Sequence, residues 1–348
     1  MKKIALILLV VVMLISLFVG WKIFGPATYF KPTMKYLYIP SNNATKEKIL
    51  ELLEKDSMVS STMSFSWLAN KMDYWKQIKP GKYKIESGYS VLNIVRLLRN
   101  GRQSPVNLVI TKLRTREDLA SLTGRKFECD SVAMISYLTD NESLQKYQLD
   151  SNTVMTAVFP NTYTFFWNTT PDKIFTKLIR QYNQFWTPAR KDSAISKGLN
   201  PQTAYILASI IEEETNKNDE KGNIASVYLN RISKGMHLGA DPTVKFALKD
   251  FSLKRIYNKH LSVESPYNTY RVFGLPPGPI CTPSNITIDA VLNAPKTDYL
   301  YFVAKSDFSG HHSFANSYGQ HLKYAKEYQE ALNKYLQQTN PAKDNLDK

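Results

Sequence analysis

The run from Ile4 to Trp21 holds no charged residue. As a helix rising 1.5 Å per residue it would extend about 27 Å, close to the hydrocarbon thickness of a bilayer. It sets the first element as a transmembrane helix over 4–21, behind a cytoplasmic leader over 1–3, Met1-Lys2-Lys3. A cleaved signal peptide is the rival reading. The residues Phe18-Val19-Gly20-Trp21-Lys22-Ile23-Phe24 offer no small-residue cleavage site, and there is no lipobox cysteine, which favours an uncleaved anchor. Lys2 and Lys3 face Lys22, Lys31 and Lys35 across the run, so the positive-inside rule discriminates weakly. The short basic leader is what places the amino end in the cytoplasm.

A chain of 348 residues with 43% hydrophobic content has room for two cores beyond that helix. A unit occurs twice before Gly101. Tyr38 precedes Thr45-x-x-x-Ile49-x-x-Leu52-Leu53, and Tyr83 precedes Ser90-x-x-x-Ile94-x-x-Leu97-Leu98. Each reads as a strand, a turn, an N-cap hydroxyl and an amphipathic helix, with Gly101 closing the second. A weaker third copy is the strand Val106 to Ile110 followed by the capping pair Thr115 and Asp118. Helices dominate from Pro171, one over Asp172 to Trp186 and another starting at Asn200-Pro201. A strand returns over Tyr299 to Val303, and a last helix runs from about Gln320 to Leu336. The fold class is α+β, with a mainly helical second domain that has few strands.

The helix from Pro201 runs into Glu212-Glu213-Glu214-Thr215. Ile211, Ile210 and Leu207 lie three, four and seven residues before Glu214, so its carboxylate falls on an apolar stripe and is expected to be partly buried. Burial there, beside Glu212, Glu213, Asp219 and Glu220, should raise its pKa by desolvation and like-charge repulsion. A carboxyl that keeps its proton near neutral pH is a general acid. Glu213 is rotated roughly 100° off that face, and its replacement is expected to be nearly silent. Glu212, on the stripe of Ala204 and Ala208, is the runner-up acid. A solvated end of a surface helix is the bland alternative.

Downstream come Ala225-Ser226-Val227-Tyr228-Leu229-Asn230-Arg231-Ile232, then Gly235 to Val244 with Asp241-Pro242-Thr243. Ser265-Pro266-Tyr267-Asn268-Thr269-Tyr270 and Gly274-Leu275-Pro276-Pro277-Gly278-Pro279 follow. In order and spacing these segments resemble the endolytic murein transglycosylase (YceG-like) family, whose members cut peptidoglycan glycan strands. Glu214 followed by Thr215 also looks like the acid-then-hydroxyl signature of other lytic transglycosylases, which maps the catalytic acid onto Glu214. The resemblance implies a LysM-like subdomain over 34–102, a connecting α/β region over 103–156, a catalytic domain over 157–338 and a polar tail over 339–348. The chain departs from the family where Thr111-Lys112-Leu113-Arg114 replaces an acidic residue and glycine, and where Asn161 replaces Asp in Phe159-Pro160-Asn161-Thr162-Tyr163.

The resemblance further implies that one carboxyl acts as acid and then base, with the substrate's N-acetyl group assisting, to leave a 1,6-anhydro end. Asp241, Thr243, Tyr267, Asn268, Tyr270 and His312 are the candidate substrate-binding residues. Asp241 reads equally as a substrate-orienting carboxylate or a helix start, Tyr267 and Tyr270 as sugar platforms or core, and His312, in a His-x-Phe strand with Phe314, as site or solvent-facing. Tyr83 and Tyr89 could stack on sugars, though aromatics in short strands are more often core. The implied partners are glycan strands and peptidoglycan synthases of the penicillin-binding class.

A net charge of +15 raises the question of nucleic acid, but the basic residues are scattered and no such module is recognisable. The charge suits anionic lipid and the carboxylates of peptidoglycan stems. Cys129 and Cys281 are expected as free thiols, and the five histidines show no metal-ligand spacing, so neither cofactor nor metal is implied. Two other classes remain open: a tethered glycan-binding scaffold without turnover, and a hydrolytic muramidase using Glu214 and Asp241.

Overall fold

The computed structural model describes residues 2–339. Met1 of the leader and residues 340–348 of the polar tail lie outside the described residues. The architecture is mixed, 53% helix and 10% strand, so helices supply the cores. The strands pair only two at a time, β1 with β2, β3 with β4 and β5 with β6.

In chain order the elements are α1 (Lys2–Phe24), β1 (Met34–Ile39), α2 (Lys46–Lys55), α3 (Thr62–Lys71), β2 (Gly81–Glu86), α4 (Val91–Asn100) and β3 (Pro105–Ile110). Then follow α5 (Arg116–Gly124), α6 (Ser131–Thr139), α7 (Asn141–Gln145), β4 (Asn161–Phe166), α8 (Pro171–Phe185) and α9 (Pro188–Ser196). The rest is α10 (Pro201–Glu214), α11 (Lys221–Ser233), α12 (Asp241–Leu248), α13 (Asn258–Leu261), α14 (Asn285–Leu292), β5 (Tyr301–Ala304), β6 (His312–Ala315) and α15 (Tyr318–Thr339). They fall into two compact units. The first takes the chain to Leu108 with Ser121–Met134 and Tyr163–Ile174; the second takes Val109–Ala120, Ile135–Thr162 and everything from Phe175.

In the first unit, α1 is long and apolar enough to cross a membrane, with a mean hydropathy of 3.0 and no part of that window buried. β1 and β2 run antiparallel from Met34 opposite Glu86 to Ile39 opposite Gly81. Their alternation turns Leu37, Ile39, Tyr83 and Ile85 inward, all fully buried. The Thr45 hydroxyl caps α2 by accepting from Lys48 N at 3.2 Å, and Ser90 caps α4 by accepting from Asn93 N at 3.2 Å. Gly101 ends α4 in the left-handed region at φ 67°. Tyr83 is core, its hydroxyl donating to Lys79 O at 2.8 Å, so it offers no face to a sugar. A helix the sequence reading omitted, α3, lies between the two repeats, capped by Ser61. In the Val109–Ala120 segment of the second unit, Thr115 and Asp118 do form a reciprocal capping box, Asp118 N to Thr115 Oγ1 at 3.1 Å and Thr115 N to Asp118 Oδ2 at 2.9 Å. The strand of that third copy, however, pairs with β4 instead of extending the β1–β2 sheet.

The second unit is built around α10. Asn200 and Thr203 close its capping box, Thr203 N to Asn200 Oδ1 at 2.9 Å and Asn200 N to Thr203 Oγ1 at 2.8 Å, with Pro201 in the first turn. Every residue from Ala204 to Ile211 is buried, so this is a core helix rather than a surface one. Leu207, Ile210 and Ile211 are fully buried, each contributing about 1.5–3 kcal/mol of transfer free energy. They pack with Ile224 and Tyr228 of α11 and Ile288 and Val291 of α14. The Gly274–Pro279 segment has no regular structure. Gly278 has no room for a side chain, since an added Cβ would lie 2.2 Å from Asn152 O.

Candidate active site

α10 ends at the glutamate triplet, and three consecutive positions on a helix point in three directions. Each carboxylate meets a different environment. Glu212 accepts from Lys221 Nζ at 3.1 Å and Ser284 Oγ at 3.1 Å, and also from the Thr287 hydroxyl. Lys221 is buried and donates in addition to Thr287 Oγ1 at 2.7 Å, so Glu212 is a clip joining α10 to α11 and α14. Glu213 lies 2.8 Å from Lys112 Nζ and 3.2 Å from an Arg114 guanidinium nitrogen. Burial would raise its pKa, but the two cations hold it below the ordinary value. Its side chain leaves the Glu214 face as expected, yet it is engaged, because the Lys112 and Arg114 that depart from the resembled pattern are its partners.

Glu214 has a neutral partner: the Tyr228 hydroxyl donates to its Oε1 at 2.6 Å. Desolvation raises its pKa to about 7, opposed by the Tyr228 hydrogen bond, assisted by the charge of Asp241 and opposed again by Arg231 and Lys245. The direction matches the sequence expectation, but the source of repulsion differs. Glu212 and Glu213 are paired with cations, Asp219 lies 3.0 Å from His311 Nε2, and Glu220 is bound by Thr215 and His312. The like charge that acts on Glu214 comes from Asp241, 27 residues on in sequence. Thr215, which follows the acid, turns its hydroxyl inward to donate to Glu220 Oε1 at 2.6 Å.

Asp241 opens α12 and accepts from the Tyr270 hydroxyl at 2.6 Å. Desolvation, the hydrogen bond to Asp241 and the nearby carboxylates push the Tyr270 hydroxyl up, and burial pushes Tyr228 up likewise, so both phenols stay protonated donors. Beneath them, Thr243 is fully buried, its hydroxyl donating to Ala240 O at 2.7 Å and meeting Thr269 Oγ1 at 2.9 Å. Asn268 is also fully buried, its amide donating to Leu261 O at 2.9 Å and Val263 O at 2.8 Å and its oxygen accepting from Tyr270 N at 3.1 Å. These two candidates form the scaffold under Asp241 and Tyr270 and present no free polar group.

Tyr267 is half-buried, its ring 4.6 Å from that of Phe246, and it lines a cleft of about 170 Å³ with Arg114, Arg116, Met155 and Lys249. His312 meets Glu220 Oε1 through Nδ1 at 2.8 Å, and its ring stands edge-on to Phe302 at 5.3 Å. Phe302 in turn meets Tyr228 at 5.9 Å, which connects His312 to the Glu214 neighbourhood through aromatic packing. Phe314 stacks on Tyr299. Both cysteines are free; the buried Cys281 thiol, 3.3 Å from Ser209 O, is pushed far up by desolvation and is no nucleophile. Among the described residues no group of three or more His, Cys, Asp or Glu is gathered as for a metal ion.

The sequence candidates omitted Tyr228, Arg231 and Lys245, the residues that with Asp241 set the charge at Glu214. Tyr228 and Arg231 share one face of α11, three residues apart. That spacing was a usable signal.

Residues 37–327 match the model of the YceG-like family. The chain belongs to that family. An endolytic murein transglycosylase of Bacillus subtilis (strain 168) is 27% identical over 325 residues, 89% of this chain and 89% of the relative. One from Streptococcus pneumoniae (serotype 2, strain D39) is 27% identical over 296 residues, 76% of this chain but 53% of the longer relative. The crystal structure of a YceG-like protein from Listeria monocytogenes superposes with a TM-score of 0.55 at 26% identity, covering 84% of this chain and 98% of that one.

Proposed function

We propose that this YceG-like chain is a membrane-anchored lytic transglycosylase that cuts peptidoglycan glycan strands internally, with Glu214 as acid and then base. The observation that supports this most is a carboxyl with its pKa raised to about 7 and hydrogen-bonded to a neutral phenol, with no ion pair to a cation among the described residues. Such a group is half protonated at neutral pH and can both give and take a proton. Glu214 donates to the oxygen between N-acetylmuramic acid and N-acetylglucosamine as that bond breaks. The substrate's N-acetyl oxygen shields the anomeric carbon, and the same carboxylate then accepts the proton of the muramoyl 6-hydroxyl as that oxygen closes the 1,6-anhydro ring. Tyr228 steadies the carboxylate between the two steps. In this reading Asp241 and Tyr270 orient the sugar, and Tyr267 and His312 flank it. The names of the relatives support internal cutting of murein.

α1 serves as the anchor, with Lys2 and Lys3 inside the cell and the two units outside. The strand–helix repeats over 34–102 form a LysM-like module, 103–156 connects, and 157–338 holds the chemistry. Glycan strands are the substrate, and a penicillin-binding synthase would deliver them.

Mass analysis of muropeptides released by the purified protein tests this reading. Products ending in 1,6-anhydro-muramic acid are expected. Reducing ends throughout would mean that Asp241 activates water as in a muramidase, which the proximity of Asp241 to Glu214 makes the leading alternative. No products would leave a scaffold. Protection of both units from external protease in spheroplasts would refute the orientation.

A further inference from the structure

The point where the chain leaves α1 is also the point where α3 and α4 begin. Gly25 N closes α1 on Trp21 O at 2.8 Å; Ala27 N donates to Tyr89 O at 2.8 Å, and Ala27 O accepts from Ser60 N at 2.8 Å. Ser60 adjoins Ser61, the cap of α3, and Pro26 bridges Ser90, the cap of α4. Ala27 and Thr28 are only 2% and 1% exposed, so the junction is packed into the first unit. α3 turns Phe65, Leu68 and Ala69 to the core. On its other side it shows Met63, 82% exposed, and Trp67, 51% exposed, one helical turn apart. The first unit as a whole is basic: residues 25–108 contain thirteen Lys and Arg against six Asp and Glu.

We propose that α3 rests on the bilayer that α1 crosses, with Met63 and Trp67 inserted among the head groups of an anionic phospholipid leaflet. The inference assumes that α1 spans a membrane and is independent of the chemistry proposed for Glu214. Continuity decides the occupant. An apolar patch whose helix starts where the chain emerges from lipid meets lipid before any protein partner. Trp is the side chain that prefers this layer, since its ring is apolar and its N–H finds water or a carbonyl. The interfacial layer is about 5–8 Å deep on each side, enough for one turn of helix to be immersed. The surplus of Lys and Arg across the unit adds electrostatic attraction to anionic head groups.

The test uses the full chain with Cys129→Ser, Cys281 being buried, and one new cysteine at a time, Ile15→Cys, Met63→Cys or Arg99→Cys, each bearing an environment-sensitive fluorophore. The protein is reconstituted in phosphatidylcholine–phosphatidylglycerol vesicles containing a nitroxide at head-group or mid-chain depth. The label at position 15 should lose most of its fluorescence to the mid-chain nitroxide. The label at position 63 should lose it to the head-group nitroxide, and the label at 99, on the far end of α4, to neither. Adding Trp67→Asp should restore most of the signal at 63. If 63 is as unquenched as 99, or if Trp67→Asp changes nothing, the docking is overturned while the anchor stands. If 15 is unquenched as well, the anchor fails and the docking with it.

Discussion

The repeats of the first unit and the glutamate triplet of the second both depend on side-chain hydrogen bonds, but those bonds join residues at very different distances along the chain. In the first unit, Thr45, Ser61 and Ser90 each meet a backbone N–H three residues ahead. In the triplet, Glu214 meets Tyr228 14 residues away, Glu212 meets Thr287 75 away, and Glu213 meets Arg114 99 away. A cap is decided by its own neighbours in sequence and costs one helix end when lost. The triplet exists only once the second unit is assembled, and the same assembly that ion-pairs two acids gives the third a neutral hydrogen-bond partner.

If that contrast is right, the largest effect of any single change is chemical. Glu214→Gln should lower the rate of glycan cleavage by about 10² to 10⁴ with an unchanged circular dichroism spectrum. A wild-type rate would move the acid elsewhere in the triplet. Next comes Lys221→Met, which strands Glu212 among buried groups and should cost about 3 kcal/mol in denaturant unfolding; a loss below about 1 kcal/mol would mean that Glu212 is solvated after all.

The third effect is one of pH. The folded pKa of Glu214, about 7, lies above its unfolded reference of 4.5, so ionisation penalises the folded state. That penalty is absent below 4.5, grows between 4.5 and 7, and is complete above. Glu214→Gln should therefore be more stable than the parent at pH 8, by about 3 kcal/mol at most, with no difference at pH 4. Equal melting curves at pH 8 would place the carboxyl in solvent. Tyr228→Phe removes the hydrogen bond that favours the carboxylate, so the alkaline limb of the kcat/KM profile should move upward by about one unit. A downward move would mean that Tyr228 was stabilising the protonated acid. The smallest effect sharpens the other side of the comparison: Ser90→Ala should cost about 1 kcal/mol and leave cleavage untouched.

The same contrast governs what could be read in advance. The stripe of Leu207, Ile210 and Ile211, the caps at Thr45, Ser90 and Asn200 and the span of α1 are periodic or local, and the residues alone state them. Thr243 and Asn268 read as substrate-binding groups because a polar side chain in the sequence says nothing about which carbonyls wait nearby; here Ala240, Leu261 and Val263 supply them. Helix α3 was missed because Ser61-Thr62-Met63-Ser64-Phe65-Ser66 shows weak apolar contrast and three serines. The pairing of β3 with β4, and the hold of Lys112 and Arg114 on Glu213, are long-range facts with no local mark.

Between Phe24 and the buried Ala27 almost no free chain remains. A domain on a loose tether samples a hemisphere; one on a stem this short samples a thin layer. Within that layer the effective concentration of anything at the lipid surface rises. With α1 in a bilayer, the first unit would be confined there, and a few flexible residues inserted after Phe24 would release it without touching its fold.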